Sequence, residues 1–231
     1  MTVSRNFLKF FDKTGSKEFG YCQSNGIWNI REMDTNATLT SIAIRKKTAQ
    51  FTGFDQNLTK SFCCLTAHRS TNFRDKECDG IAFVTLDQKE HLLLVELKSK
   101  FDTQTLSNAI RQMCFSFLKM HAMLSLCEDY SLDVMEIDFC TATKCAKNCD
   151  EQTKIDFFIR QAEQSEDQRE FGSFFRNLFF KGKICVEIEK LFRIMGISLP
   201  LHNTLRKKKI TIYLQKTQTF NDTQISFDYL D

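Results

Sequence analysis

The chain has 231 residues, 42% of them hydrophobic, and a formal net charge of +3. This is enough for one domain with a sizeable core, and the net charge excludes identifying a polyanion partner from charge alone, so any basic surface has to be local. With 8 Gly and 1 Pro, long flexible linkers are excluded, and no apolar run reaches membrane-spanning length. Phe dominates the aromatics, 23 against 1 Trp and 4 Tyr, and is the expected core filler.

In chain order, Met1 to Lys17 is predicted to be a short helix with Phe7, Phe10 and Phe11 facing inward. Its sequence lacks the apolar stretch of a secretion signal, so a cytoplasmic protein with reduced thiols is expected. Segments 26–30 and 38–44 read as strands, with Trp28 in the core. Arg45-Lys46-Lys47 follows as a solvated loop or a phosphate contact. Lys60 to Leu65 is a further predicted strand. It leads into a polar loop, 68–77, in which Arg69, Arg74 and Lys76 could steer a phosphate backbone. His68 reads as a surface histidine rather than a base.

Residues 80–86 (GIAFVTL) and 91–98 (HLLLVELK) predict a β-hairpin around the polar run 87–90. Side chains alternate along a strand, so Glu96 and Lys98 share one face, about 7 Å apart. Pairing Leu86 with His91 puts Asp79 opposite Lys98 and Ile81 opposite Glu96, and Asp79 then meets Glu96 diagonally on that face. Charges at the end of a strand apolar on both faces are costly unless paired or metal-bound. A helix follows, capped by Asp102 or Thr103, with Leu106, Ile110, Met113, Phe117 and Met120 as its apolar stripe. Gln104, Asn108 and Gln112 recur every four residues on a polar face beside the charged strand end.

Beyond this helix, 133–140 alternates as a strand, and a helix is expected over 153–163. Another carries Phe171, Phe174, Phe175, Leu178 and Phe179, read as packing on the sheet. Residues 183–188 fit a strand or the start of a helix through Met195, ended by Pro200. Arg206, Lys207, Lys208 and Lys209 then enter a strand at 210–214. They fit a grip on a nucleic-acid backbone or a guard on an exposed sheet edge equally well. Cys78, Cys114 and Cys185 read as small core residues. Cys127, Cys140, Cys145 and Cys149 lack the spacing of a zinc ribbon and read as unligated thiols, with zinc the lesser alternative.

Asp79, the Glu96-Leu97-Lys98 strand end and a following helix with Gln112 together resemble the core of the PD-(D/E)XK nuclease superfamily, the restriction-endonuclease-like fold. The resemblance covers roughly 73–140, and Cys78 stands where the motif often has Pro. It implies an α/β fold with a central mixed sheet flanked by helices. A single nuclease domain over 1–231 is expected, with its core at about 60–145, an N-terminal extension over 1–59 and a C-terminal elaboration over 146–231. It implies a metal-dependent nuclease hydrolysing phosphodiester bonds, with DNA ahead of RNA as substrate. Asp79, Glu96 and the Leu97 carbonyl would hold Mg²⁺, with Mn²⁺ as substitute. Lys98 would orient the attacking water, and Gln112 would position the water or contact phosphate. Some branches add an acidic ligand near the N-terminus, for which Glu18 and Glu32 are candidates, though both read first as surface carboxylates. By analogy with the family, a restriction or anti-phage effector is expected, with a partner protein for targeting, a homodimer as a further option, and no membrane association. The rival readings are a catalytically inert subunit of the same fold and a nucleic-acid-binding module using Arg206 to Lys209 without cleavage.

Overall fold

The computed structural model describes residues 3–14, 21–55, 58 and 77–230, without the side chains of 10–14 and 55. The expected strand at 60–65, Cys63, Cys64, Glu18, His68, Arg69, Arg74, Lys76 and the side chains of Phe10 and Phe11 lie outside the described residues.

The hairpin predicted from alternation forms, as β3 (Gly80–Leu86) and β4 (Lys89–Lys98). Its register differs from the expected one: Leu86 pairs with Lys89, not His91, and Gly80 pairs with Val95. The connection is a two-residue turn, with Asp87 and Gln88 both at positive φ, 47° and 66°. Such a turn matches the twist of the flanking strands. The displacement is two residues, which preserves facing, so Asp79 falls one step past the Gly80–Val95 pair, across from Glu96.

From β4 the chain enters α2 (Thr103–Leu124), capped by Asp102, whose carboxylate accepts the Thr105 N–H at 2.7 Å. It returns as β5 (Met135–Thr143), parallel to β4. This is the helical crossover that parallel neighbours require. Leu106, Ile110, Met113, Phe117 and Met120 are all fully buried, as the stripe predicts.

Among the described residues, eight strands form one mixed sheet flanked by helices, in the order β1-β2-β3-β4-β5-β7-β6, with β8 joined to β2. β1 (Tyr21–Arg31) and β2 (Ser41–Asp55) are longer than expected, and Arg45 to Lys47 lie inside β2 rather than in a loop. The helices after β5 are α3 (Cys149–Gln164) and α4 (Arg169–Lys181). The ambiguous stretch after them is both things in turn: strand β6 (Lys183–Glu187), then helix α5 (Ile188–Ile194). Pro200 does not end that helix; it stops at Ile194, and Gly196 turns the chain with φ 66°. Short α6 (Asn203–Lys207) precedes β7 (Lys209–Lys216). The polar tail contains β8 (Gln224–Asp228), parallel to the first half of β2.

The core has two parts. On one face, α1 (Val3–Thr14) and the later helices bury Phe7, Ile81, Phe83, Leu92 and Leu94 with Phe117, Phe139 and Phe175. On the other, β1, the first half of β2 and β8 cover Ala82, Val84, Leu93, Val95 and Leu97 with Trp28, Ile42, Phe227 and Tyr229. Trp28 is core, as expected, and it dictates a glycine: a Cβ on Gly53 would lie 2.2 Å from its Nε1. On this second face Asp138 is buried and accepts from Tyr229 Oη at 2.5 Å, while His91 Nδ1 lies 2.8 Å away. These bonds fasten the C-terminal segment across the sheet. Phe174, Phe175 and Leu178 of α4 pack inward as expected, whereas Cys185 is exposed, a correction to its reading as core, because it lies on the outward face of an edge strand. No described helix is long and apolar enough to cross a membrane.

Candidate active site

Alternation assigns Asp79, Glu96 and Lys98 to the helix-covered face, the face of Ile81, Phe83, Leu92 and Leu94. Glu96 is 1% exposed, in a strand enclosed by β3 and β5. Its Oε1 accepts from Lys98 Nζ, and its Oε2 is buried with no hydrogen-bond partner. Lys98 Nζ also donates to Gln112 Oε1 at 2.9 Å, and Gln112 Nε2 donates to the Glu77 carbonyl at 3.2 Å. Asp79 Oδ2 accepts the Leu97 N–H at 2.7 Å. The N–H and C=O of a strand residue point to the same side, so the Leu97 carbonyl also faces the edge vacated where β3 ends. The sequence-predicted Asp79, Glu96, Leu97, Lys98 and Gln112 are thus brought together.

Burial sets the electrostatics of the two carboxyls. It pushes Asp79 up to about 7, reinforced by the Glu32 charge and opposed by the Leu97 N–H and Lys98. It pushes Glu96 up to about 8, with the Asp79 charge adding and Lys98 opposing. A hydrogen-bonded lysine favours ionised Glu96, but enclosure and a neighbouring carboxyl outweigh it, so the upward direction stands. Glu32, half-buried just past β1, is therefore close enough for its charge to act on both.

The site has supports that were not singled out from the sequence. Ser116 and Lys119 of α2 hold the approach to β3: Ser116 Oγ accepts the Cys78 N–H at 3.0 Å, and Lys119 pairs with buried Glu77. The signal was present, since Gln112, Ser116 and Lys119 continue the polar spacing of Gln104 and Asn108 along one helix. Asn108 is half-buried and its Oδ1 accepts from Gln104 at 3.1 Å. Ser99 Oγ accepts the Thr38 and Leu39 N–H groups, at 2.8 and 3.1 Å, tying the β1–β2 connection to the end of β4.

Arg206, Lys207, Lys208 and Lys209 are elsewhere. Glu96 is level with Thr141, and Thr141 with Leu214, whereas Lys209 begins β7. Five residues, roughly 16 Å, separate Lys209 from the level of the site, at the other end of the sheet. β7 lies between β5 and β6, so these residues do not guard a sheet edge either. Among the described residues, Lys98, Lys100 and Lys216 lie at the site's own end, Lys100 3.3 Å from Asp102 Oδ2 and Lys216 over the Phe101 ring; the buried Lys144 donates to the Phe220 carbonyl at 2.7 Å.

A metal ion needs hard oxygen donors with lone pairs free. The unpartnered Glu96 Oε2, the Asp79 carboxylate and the Leu97 carbonyl meet that requirement in chemical type. Set against it, no group of three or more His, Cys, Asp or Glu among the described residues is placed to hold a metal. That holds for Cys127, Cys140, Cys145 and Cys149, of which Cys140 is core and Cys149 exposed. Compared with known proteins, the chain matches no family model, no curated protein and no solved structure.

Proposed function

We propose that the protein is a metal-dependent nuclease with a PD-(D/E)XK-type site, hydrolysing phosphodiester bonds in nucleic acid, DNA ahead of RNA. The observation that carries this reading is the convergence of Asp79, Glu96, Lys98 and Gln112 on one face at the end of a hairpin, with one buried oxygen of Glu96 unpartnered. A buried carboxyl and a half-buried one, both with raised pKa and beside a lysine, are an expensive arrangement, of the kind enriched at functional sites. Asp79, Glu96 and the Leu97 carbonyl would hold Mg²⁺, which would supply charge neutralisation for the phosphate and a more acidic water. Lys98, fixed by Gln112 and about a quarter exposed, is available to orient that water or to meet charge building on phosphoryl oxygens. Lys216, at the same end of the sheet and held over the Phe101 ring, would add charge for a phosphate backbone, as would Lys100 on exchanging its pair with Asp102.

A second reading has its own observation. The Lys98–Glu96 pair, closed by Gln112, is an ion pair in which Lys98 already neutralises one carboxylate oxygen. On that reading the protein is an inert interaction subunit of the same fold. Incubation with supercoiled, linear and single-stranded DNA and with RNA, in Mg²⁺ or in EDTA, separates the two. The nuclease reading requires Mg²⁺-dependent product that is lost in Lys98→Ala. Absence of product on every substrate, together with no divalent-metal binding by titration, leaves the inert subunit.

A further inference from the structure

We infer that the protein forms a twofold homodimer by antiparallel pairing of β6 with β6 of a second copy, centred on Cys185. Among the described residues, β6 hydrogen-bonds only to β7, so its other edge is open. The polarity of that edge is fixed by the ladder. Leu214 N–H donates to the Gly182 carbonyl and Ile188 N–H to the Lys208 carbonyl. The even positions of β6 therefore face β7, and the N–H and C=O groups of Lys183, Cys185 and Glu187 point outward.

These three residues are self-complementary. With Cys185 opposite Cys185 of the second copy, Lys183 faces Glu187 and Glu187 faces Lys183, all as hydrogen-bonded pairs. Both charge pairs are attractive, and every outward backbone group on the three residues finds a partner. A shift of two residues in either direction breaks the charge match and leaves backbone groups unpaired. The side chains of Lys183, Cys185 and Glu187 are all exposed, with the Lys183 ammonium 4.9 Å from the centre of the Tyr213 ring of β7. An open strand edge of this kind is a template for another chain, and a twofold interface must be self-complementary.

The dimer also gives the misplaced basic segment a position, a consequence that rests on the proposed nuclease reading. Cys185 is level with Thr211 of β7. The site's level, at Leu214, lies three residues to one side of it, and Lys209 two residues to the other. The twofold reverses strand direction, so the second copy's site lies three residues from the centre on the side of Arg206 to Lys209. The basic segment of one copy is then within a residue or two of the level of its partner's Asp79 and Glu96. Five strand spacings, roughly 24 Å, separate them laterally. A nucleic acid lying across the end of the joint sheet would meet both.

The test is the oligomeric state, which needs no substrate and is independent of any nuclease assay. Light scattering of the whole chain at micromolar concentration should give twice its 27.0 kDa mass. Lys183→Glu and Glu187→Lys should each weaken the dimer by about tenfold or more, since the twofold doubles every change. The combined charge swap should restore it, and thermal melts of all three confirm that the domain stays folded. Diamide, an oxidant that takes two thiols to a disulfide, should cross-link the wild type and fail with Cys185→Ser. A monomer at every concentration, or a dimer indifferent to the single charge changes, overturns the inference. Cross-linking that persists without Cys185 moves the contact to another cysteine and equally overturns it.

Discussion

Asp79 Oδ2 accepts the Leu97 N–H at 2.7 Å, so the carboxylate at the entry to β3 completes the edge of β4 where the ladder ends. The same side chain therefore has a structural and a chemical task, and substitution can separate them. Asn keeps an acceptor for that N–H and loses the charge. Asp79→Asn should stay within about 1 kcal/mol of wild-type stability by denaturant unfolding. Its cleavage should fall to background. Asp79→Ala should lose both. If Asp79→Asn cleaves at wild-type rate, Asp79 is only a strand cap.

Lys98 and Gln112 rank in order of closeness to the chemistry. Lys98→Met keeps the stem but strips Glu96 of its partner, so it should abolish cleavage and cost about 1–3 kcal/mol. Gln112→Leu leaves the lysine in place but without its acceptor. As a positioning change it should reduce the rate by about 10- to 100-fold, short of abolishing it. A Gln112→Leu rate equal to wild type would remove this residue from the mechanism. Single-turnover cleavage of a labelled substrate measures both.

Two carboxyls raised to about 7 and about 8 fix the sign of a pH effect. Each holds its proton more tightly folded than unfolded, so their contribution to stability is complete below their ordinary values of 3.8 and 4.5. It is lost as pH rises through 7 and 8. In EDTA the melting temperature should therefore fall over that interval, and Asp79→Asn or Glu96→Gln should flatten the fall. Mg²⁺ binds the deprotonated pair, so the rise in melting temperature on adding it should be larger above the Glu96 value than below the Asp79 value. A wild-type melting curve unaffected by Mg²⁺ at alkaline pH would count against a metal site.

What was legible in the sequence followed local periodicity. The β3–β4–α2–β5 order, the buried stripe of α2 and the shared face of Asp79, Glu96 and Lys98 all depend on a period of two or of 3.6, which survives errors in loop length. Contacts between distant segments left no local trace. β8 is five residues in a polar tail, stabilised by lying beside β2, some 180 residues earlier in the chain. Cys185 reads as core because Ile184 and Val186 flank it, and only the sheet order reveals that β6 is an edge with its odd positions outward. Arg206 to Lys209 fit a grip on a backbone or a guard on a sheet edge equally well, because sequence gives no indication of where in the sheet a strand lies or which end it enters; the sheet order removes the edge guard.

The register of the hairpin was missed through its turn, and the turn can be tested directly. Asp87 and Gln88 both occupy the left-handed region, and neither is glycine. Asp tolerates that conformation through its short polar side chain, whereas Gln carries a Cβ and a longer stem with no such compensation. Gln88→Gly should therefore stabilise the protein by about 1 kcal/mol, read as a shift in denaturant midpoint with unchanged slope. Were the connection the four-residue loop suggested by the polar run 87–90, Gln88 would sit in ordinary backbone, and the same substitution would lower stability by loosening the unfolded chain. The sign of that single measurement decides whether Gly80 faces Val95, and with it whether Asp79 stands across from Glu96.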